Sequence, residues 1–178
     1  MTAVAGGSPD HVDITLPVTA SVASRCGFAT DATPDGTYDA ADINAGFTHD
    51  FPFALQCNCP SRVAVVSANG GLLAPVSGVP QGFSNLAPYE VTLSLTGNAG
   101  VQTVNSGCQA STLSGSSAIP CSFRGPASAT QGLRLGGAAD NVSGSYLRVS
   151  APPYSGSAVL VAASTYADTL TITLGVAI

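Results

Sequence analysis

The sequence contains no lysine and no tryptophan, and only one methionine. Charged residues make up 8% of its 178 positions, against a usual ~25%. These absences exclude several chemistries. Without lysine there can be no Lys–Asn isopeptide crosslink, no Ser-x-x-Lys catalytic pair and no phosphate loop ending in Lys-Ser/Thr. The basic residues Arg25, Arg62, Arg124, Arg134 and Arg148 are scattered, and the net charge is −5. A nucleic-acid backbone would therefore meet no basic patch. No stretch is long and apolar enough to cross a membrane. Met1 to Gly7 shows neither a cationic region nor an apolar run, so the chain reads as a mature or trimmed form.

Histidine is nearly as scarce. His11 and His49 are the only two, and no Gly-x-Ser-x-Gly elbow accompanies them. Both read as surface residues, and no catalytic residue is assigned. The chain is expected not to be an enzyme and to need no cofactor.

What the chain does have is apolar content, 45%, arranged with a period of two. No helical period of useful length appears, while Gly, Pro, Asn and Ser interrupt at short intervals. Val12, Ile14, Leu16, Val18, Ala20 and Val22 all fall on even positions, giving one apolar face to an extended segment. Pro17 breaks that run and suits an edge or a change of partner. Phe51 to Cys57, Arg62 to Ala68, Tyr89 to Thr96, Tyr146 to Val149 and Ala158 to Ala162 read as further strands. Asn69-Gly70-Gly71 is a turn signal. The last strand carries Leu170, Ile172, Leu174 and Val176 on one face, with Thr169, Thr171 and Thr173 on the other. Residues 27–49, rich in Asp, read as a long surface loop. Residues 105–120, enclosed by Cys108 and Cys121, read as a crosslinked hairpin or loop. Many short strands at regular spacing indicate an all-β sandwich.

Five cysteines in a small, loop-rich β chain point to disulfides and an oxidising compartment. Cys26 ends the first strand and Cys57 ends a later one, so a Cys26–Cys57 staple is expected, with Cys108–Cys121 as the second. Cys59 lies two residues on, on the same face, so Cys26–Cys59 stays open as an alternative. Cys57-x-Cys59 with Cys26 and His49 does not match zinc-site spacing. Asp31, Asp35, Asp39 and Asp42 do not match an EF-hand. No metal site is assigned.

Three pieces together resemble the spore coat protein U domain family, which includes the archaic chaperone–usher pilus subunits. One is the alternating run from Val12 into Cys26. A second is Phe53-Ala-Leu-Gln-Cys57 followed by Arg62-Val-Ala-Val-Val-Ser-Ala-Asn-Gly-Gly71. The third is the ending, Tyr166-x-Asp168-Thr169-Leu170-Thr171-Ile172-Thr173-Leu174. The Asp-rich insert and the Cys108–Cys121 loop depart from the simplest members.

The resemblance implies an immunoglobulin-like β-sandwich that is incomplete and is completed by a neighbour's N-terminal donor strand. It implies a structural subunit of a secreted bacterial pilus or fimbria, serving adhesion or biofilm formation at the cell surface after export through the periplasm. The partners would be further copies of the chain, a periplasmic chaperone and an outer-membrane usher. On this reading residues 1–17 form the donor extension and 18–178 one sandwich domain. Val12, Ile14 and Leu16 are the donor plugs, and Leu170, Ile172 and Leu174 belong to the acceptor groove. The alternative is a secreted β-sandwich binding module, a tip adhesin or carbohydrate binder. The scattered tyrosines and missing tryptophan speak for the polymer.

Because the Asp spacing fits no calcium loop, EDTA should leave the melting temperature unchanged in a thermal scan. A fall reversed by Ca²⁺ would contradict this.

Overall fold

The structure, a computed structural model, describes residues 15–177. Its regular secondary structure is almost entirely strand. In chain order they are β1 (Cys26–Phe28), β2 (Phe47–Phe53), β3 (Leu55–Cys57), β4 (Ser61–Ser67), β5 (Leu72–Leu73), β6 (Phe83–Ser84) and β7 (Leu86–Ala87). Then follow β8 (Glu90–Leu95), β9 (Val104–Gln109), β10 (Leu133–Leu135), β11 (Ala139–Asp140), β12 (Ser145–Ala151), β13 (Val159–Leu160) and β14 (Leu170–Val176). Helix among the described residues is limited to α1 (Ala110–Leu113) and a 3₁₀ turn at Ile43–Ala45.

The largest sheet has the order β2-β12-β8-β9, antiparallel throughout. Two three-stranded antiparallel sheets, β10-β4-β14 and β1-β3-β11, accompany it. Two short pairs, β5-β7 and β13-β6, complete the set, the last being parallel. The chain is thus all-β.

Alternation explains the core. Val91, Leu93 and Leu95 of β8 are fully buried, because a central strand turns every second side chain inward. Val63 and Val65 of β4 meet them in one apolar cluster with Leu55, Leu135 and Phe123. Outward-facing Arg62 instead donates to the carbonyls of Ala129 and Gly132 at 3.0 and 2.7 Å. On the outer face of the largest sheet Arg148 meets Asp50 in a two-pronged ion pair, 2.6 and 2.8 Å. The Arg148 guanidinium holds the Asp50 carboxyl below its ordinary pKa.

Several segments differ from the sequence expectation. The strand expected at 51–57 begins at Phe47 and is broken at Ala54, where the chain leaves the sheet of β2 for that of β3. The stretch 105–120, expected as a crosslinked hairpin or loop, contributes a real strand, β9, to the edge of β8. Its Gly and Ser residues have weak β propensity, and the ladder to β8 supplies what propensity lacks. Among the described residues of the N-terminal run, 15–25, no strand forms before Cys26. Leu16, Val18 and Val22 are 78%, 92% and 80% exposed, and Pro17 lies inside this exposed stretch rather than next to a first strand.

Two disulfides link Cys26 to Cys57 and Cys108 to Cys121, and Cys59 is a free thiol.

Leu93 is fully buried in a central strand, so Leu93→Ala should cost about 2–5 kcal/mol in a denaturant titration, the usual range for a core truncation. A loss below about 1 kcal/mol would show that this site collapses around the cavity.

Candidate functional site

Two sheet edges face each other across an apolar groove. β2 ends the order of its sheet and β14 ends the order of another, so each carries one side without a ladder partner among the described strands. The groove between them encloses about 1070 Å³, above the usual ~300–1,000 Å³ of a small-molecule pocket. Phe47 and Phe51 of β2 form one wall, and Leu170 and Ile172 of β14 the other. Leu147 and Val149 of β12, with Tyr89, lie between them.

The walls follow from strand register. Residues 47, 49, 51 and 53 of β2 share one face. β12 pairs with β2 so that Leu147 lies opposite Phe51 and Val149 opposite His49. β14 is fixed by its ladder to β4, which sets Ile172 opposite Val65 and Leu170 opposite Ser67.

Residues 34–44 and 156–169 frame the groove. The first segment is fastened to β2 by an aromatic stack, with the Tyr38 ring 4.2 Å from that of His49 and 9° from parallel. Its backbone hydrogen bonds among the described residues are local turns, such as Ala45 N–H to Asp42 O and Gly46 N–H to Ile43 O. Gly46 ends it at φ 76°, pressed against the backbone of Ala151 to Pro153, where a side chain would clash. Backbone bonds hold the second segment, Val159 N–H to Gly82 O and Ala167 N–H to Leu73 O at 3.0 Å each, and Tyr154 and Tyr166 donate locally to its Ala158 O and Val161 O at 2.8 Å.

A carboxylate clasp sets the start of β14. Asp168 Oδ2 accepts from Ser67 Oγ at 2.5 Å and from Tyr89 Oη at 2.8 Å. Its Oδ1 accepts the backbone N–H of Asn69 at 3.0 Å and of Thr169 at 2.7 Å. Ser67 Oγ in turn accepts the N–H of Gly70, whose φ of 73° the Asn69-Gly70 turn requires. Burial, reinforced by the Asp168 carboxylate, pushes the Tyr89 pKa far above its ordinary value. Tyr89 therefore remains a neutral donor to Asp168.

Of the expected acceptor residues, Leu170 and Ile172 line the groove. Leu174 does not; it packs against the core where β1 runs beside β14. Leu16 is exposed, and Val12 and Ile14 lie outside the described residues. The Asp39 and Asp42 carboxylates serve local turns, accepting from Ala41 N–H and Asn44 N–H at 2.9 Å. Among the described residues no three His, Cys, Asp or Glu side chains converge on a point where a metal could sit.

Sequence reasoning missed the β2 and β12 walls. The alternating Phe47, Phe51, Leu147 and Val149 were the available signal, but which edge each strand occupies depends on long-range pairing. No protein-family model, curated protein or solved structure matches the chain.

Asp168→Ala should strand the Tyr89 and Ser67 hydroxyls and cost about 1–3 kcal/mol for each donor left unpaired. Tyr89→Phe removes one donor and leaves the other bonds in place, so it should cost less, about 0.5–1.5 kcal/mol. Urea melts of both variants check the order, and the reverse order would show that the clasp is not organised by the carboxylate.

Proposed function

We propose that the chain is a structural subunit of a secreted bacterial pilus or fimbria. On this reading it is an immunoglobulin-like sandwich of the spore coat protein U type, lacking one strand, and it polymerises when a neighbour's N-terminal extension fills the gap. The observation that carries the reading is the groove lined by two sheet edges, floored by apolar side chains, in a chain whose residues 16–22 are alternating and exposed, with Leu16, Val18 and Val22 bare.

Strand addition answers both features at once. An unpaired edge above an apolar floor invites association with other strands. An added strand gives main-chain hydrogen bonds to the edge and side chains to the floor. Three alternating apolar side chains buried in this way contribute about 4.5–9 kcal/mol, at ~1.5–3 kcal/mol each. Ladder bonds slow release further.

The two disulfides support assembly in an oxidising space outside the cytosol. The partners on this reading are further copies of the chain, a periplasmic chaperone that covers the groove before assembly, and an outer-membrane usher. The fibre at the cell surface would serve adhesion or biofilm formation.

A chain lacking residues 1–24 should remain unpolymerised by electron microscopy and sedimentation. A synthetic peptide of residues 1–24 should bind it and raise its melting temperature. Normal fibres from the truncated chain, or indifference to the peptide, would overturn the reading.

A further inference from the structure

We propose that the segment which a second copy inserts into the groove is residues 15–22, with Leu16, Val18 and Val22 as its plugs, in place of the earlier stretch centred on Ile14. This rests on the strand-addition reading above and specifies its partner segment and register.

Exposure is the first argument. Leu16, Val18 and Val22 are 78%, 92% and 80% exposed and sit on one parity of the chain, with small Ala20 between them. Three branched apolar side chains left bare at alternate positions form one side of a strand without a sheet. The first strand among the described residues begins only at Cys26, so the described domain makes no use of them.

Charge is the second. The groove rim carries Asp35, Asp39, Asp42 and Asp168. Residues 15–22 contain no ionisable side chain, whereas the earlier stretch carries Asp13 beside Ile14 and follows Asp10. Carrying two more carboxylates toward an acidic rim is opposed by like-charge repulsion. An uncharged strand meets no such opposition.

The third argument fixes the limit of the segment. Asn58 grips the chain just before Cys26: its Nδ2 donates to Ala23 O at 3.0 Å and its Oδ1 accepts the Arg25 N–H at 2.8 Å. Asn58 N–H also donates to Arg25 O at 3.1 Å. Residues 23–25 are thus committed to their own domain, and Val22 is the last residue free to enter another. Counting back from Val22, eight residues in extended form reach about 26 Å. That is enough to run past the groove-lining parts of the two edges, Phe47 to Phe51 of β2 and Leu170 to Ile172 of β14, about 17 Å and about 10 Å long. Pro17 falls near the start of the segment, where its missing N–H removes a single ladder bond.

The test uses full-length chains. Val18 is exposed in its own subunit, so Val18→Asp leaves the subunit fold intact, which its thermal melt verifies. In assembly the new carboxylate would be buried in the apolar groove, and the subunit association constant should fall about 100-fold or more. Ile14→Asp should assemble as the unmodified chain does, measured by sedimentation and fibre counts in micrographs. Loss of assembly in Ile14→Asp, with or without loss in Val18→Asp, overturns this register while strand addition stands. Undiminished assembly in both variants overturns the register and strand addition together.

Discussion

A β-strand has two sides, and the backbone groups on each need partners. β4 meets this requirement fully, with β10 on one side and β14 on the other. β8 meets it between β12 and β9. Among the strands that end a sheet order, β1, β9, β10 and β11 included, two, β2 and β14, line the same groove, and that coincidence organises the site. The floor is apolar because β12 and Tyr89 turn inward there. The 34–44 segment is stacked on β2 through Tyr38, and the 156–169 segment is tied by backbone bonds to Gly82, Ser84 and Leu73. The Asp168 clasp fixes where β14 begins, and hence which of its residues look into the gap. Had the two open edges lain on opposite sides of the molecule, each would be an ordinary sheet margin managed by short length or surface polarity.

The 34–44 segment illustrates how the groove is kept accessible. Its hydrogen bonds among the described residues are spent on its own turns, and it is joined to β2 by ring stacking between Tyr38 and His49. Stacking of this kind contributes about 0.5–1.5 kcal/mol, much less than a full ladder. The segment therefore covers apolar surface while leaving the β2 edge free to bond.

Much of this was legible in the residues. Alternation at Val91, Leu93 and Leu95 marks a strand wherever it lies, and these three are buried as their spacing requires. Leu170, Ile172 and Leu174 likewise mark β14. Alternation, however, says which residues share a face, not what that face meets. Leu174 has the same parity as Ile172, yet only Ile172 lines the groove, and β14 also lies against β1. The bend at Ala54 could not be read from Phe51 to Cys57, since the period continues through it. β9 escaped for the opposite reason: Asn105, Ser106 and Gly107 carry no strand signal and are held by β8. The wall from β2 depends on its pairing with β12, about a hundred residues away, and local pattern cannot supply that.

The Cys26–Cys57 bond has a mechanical consequence. β1 is only three residues long, so by itself it would peel from β3 under a modest pull along the chain. The disulfide sits at the first residue of β1, just after the stretch that Asn58 grips. Tension applied to the N-terminal segment therefore bypasses β1 and enters β3 through a covalent bond. From β3 it passes by way of Ala54 into β2, whose seven residues are all paired to β12 in the largest sheet. A tug on the tail is thus carried by a seven-pair ladder, while residues 29–46 between β1 and β2, the 34–44 segment among them, stay slack.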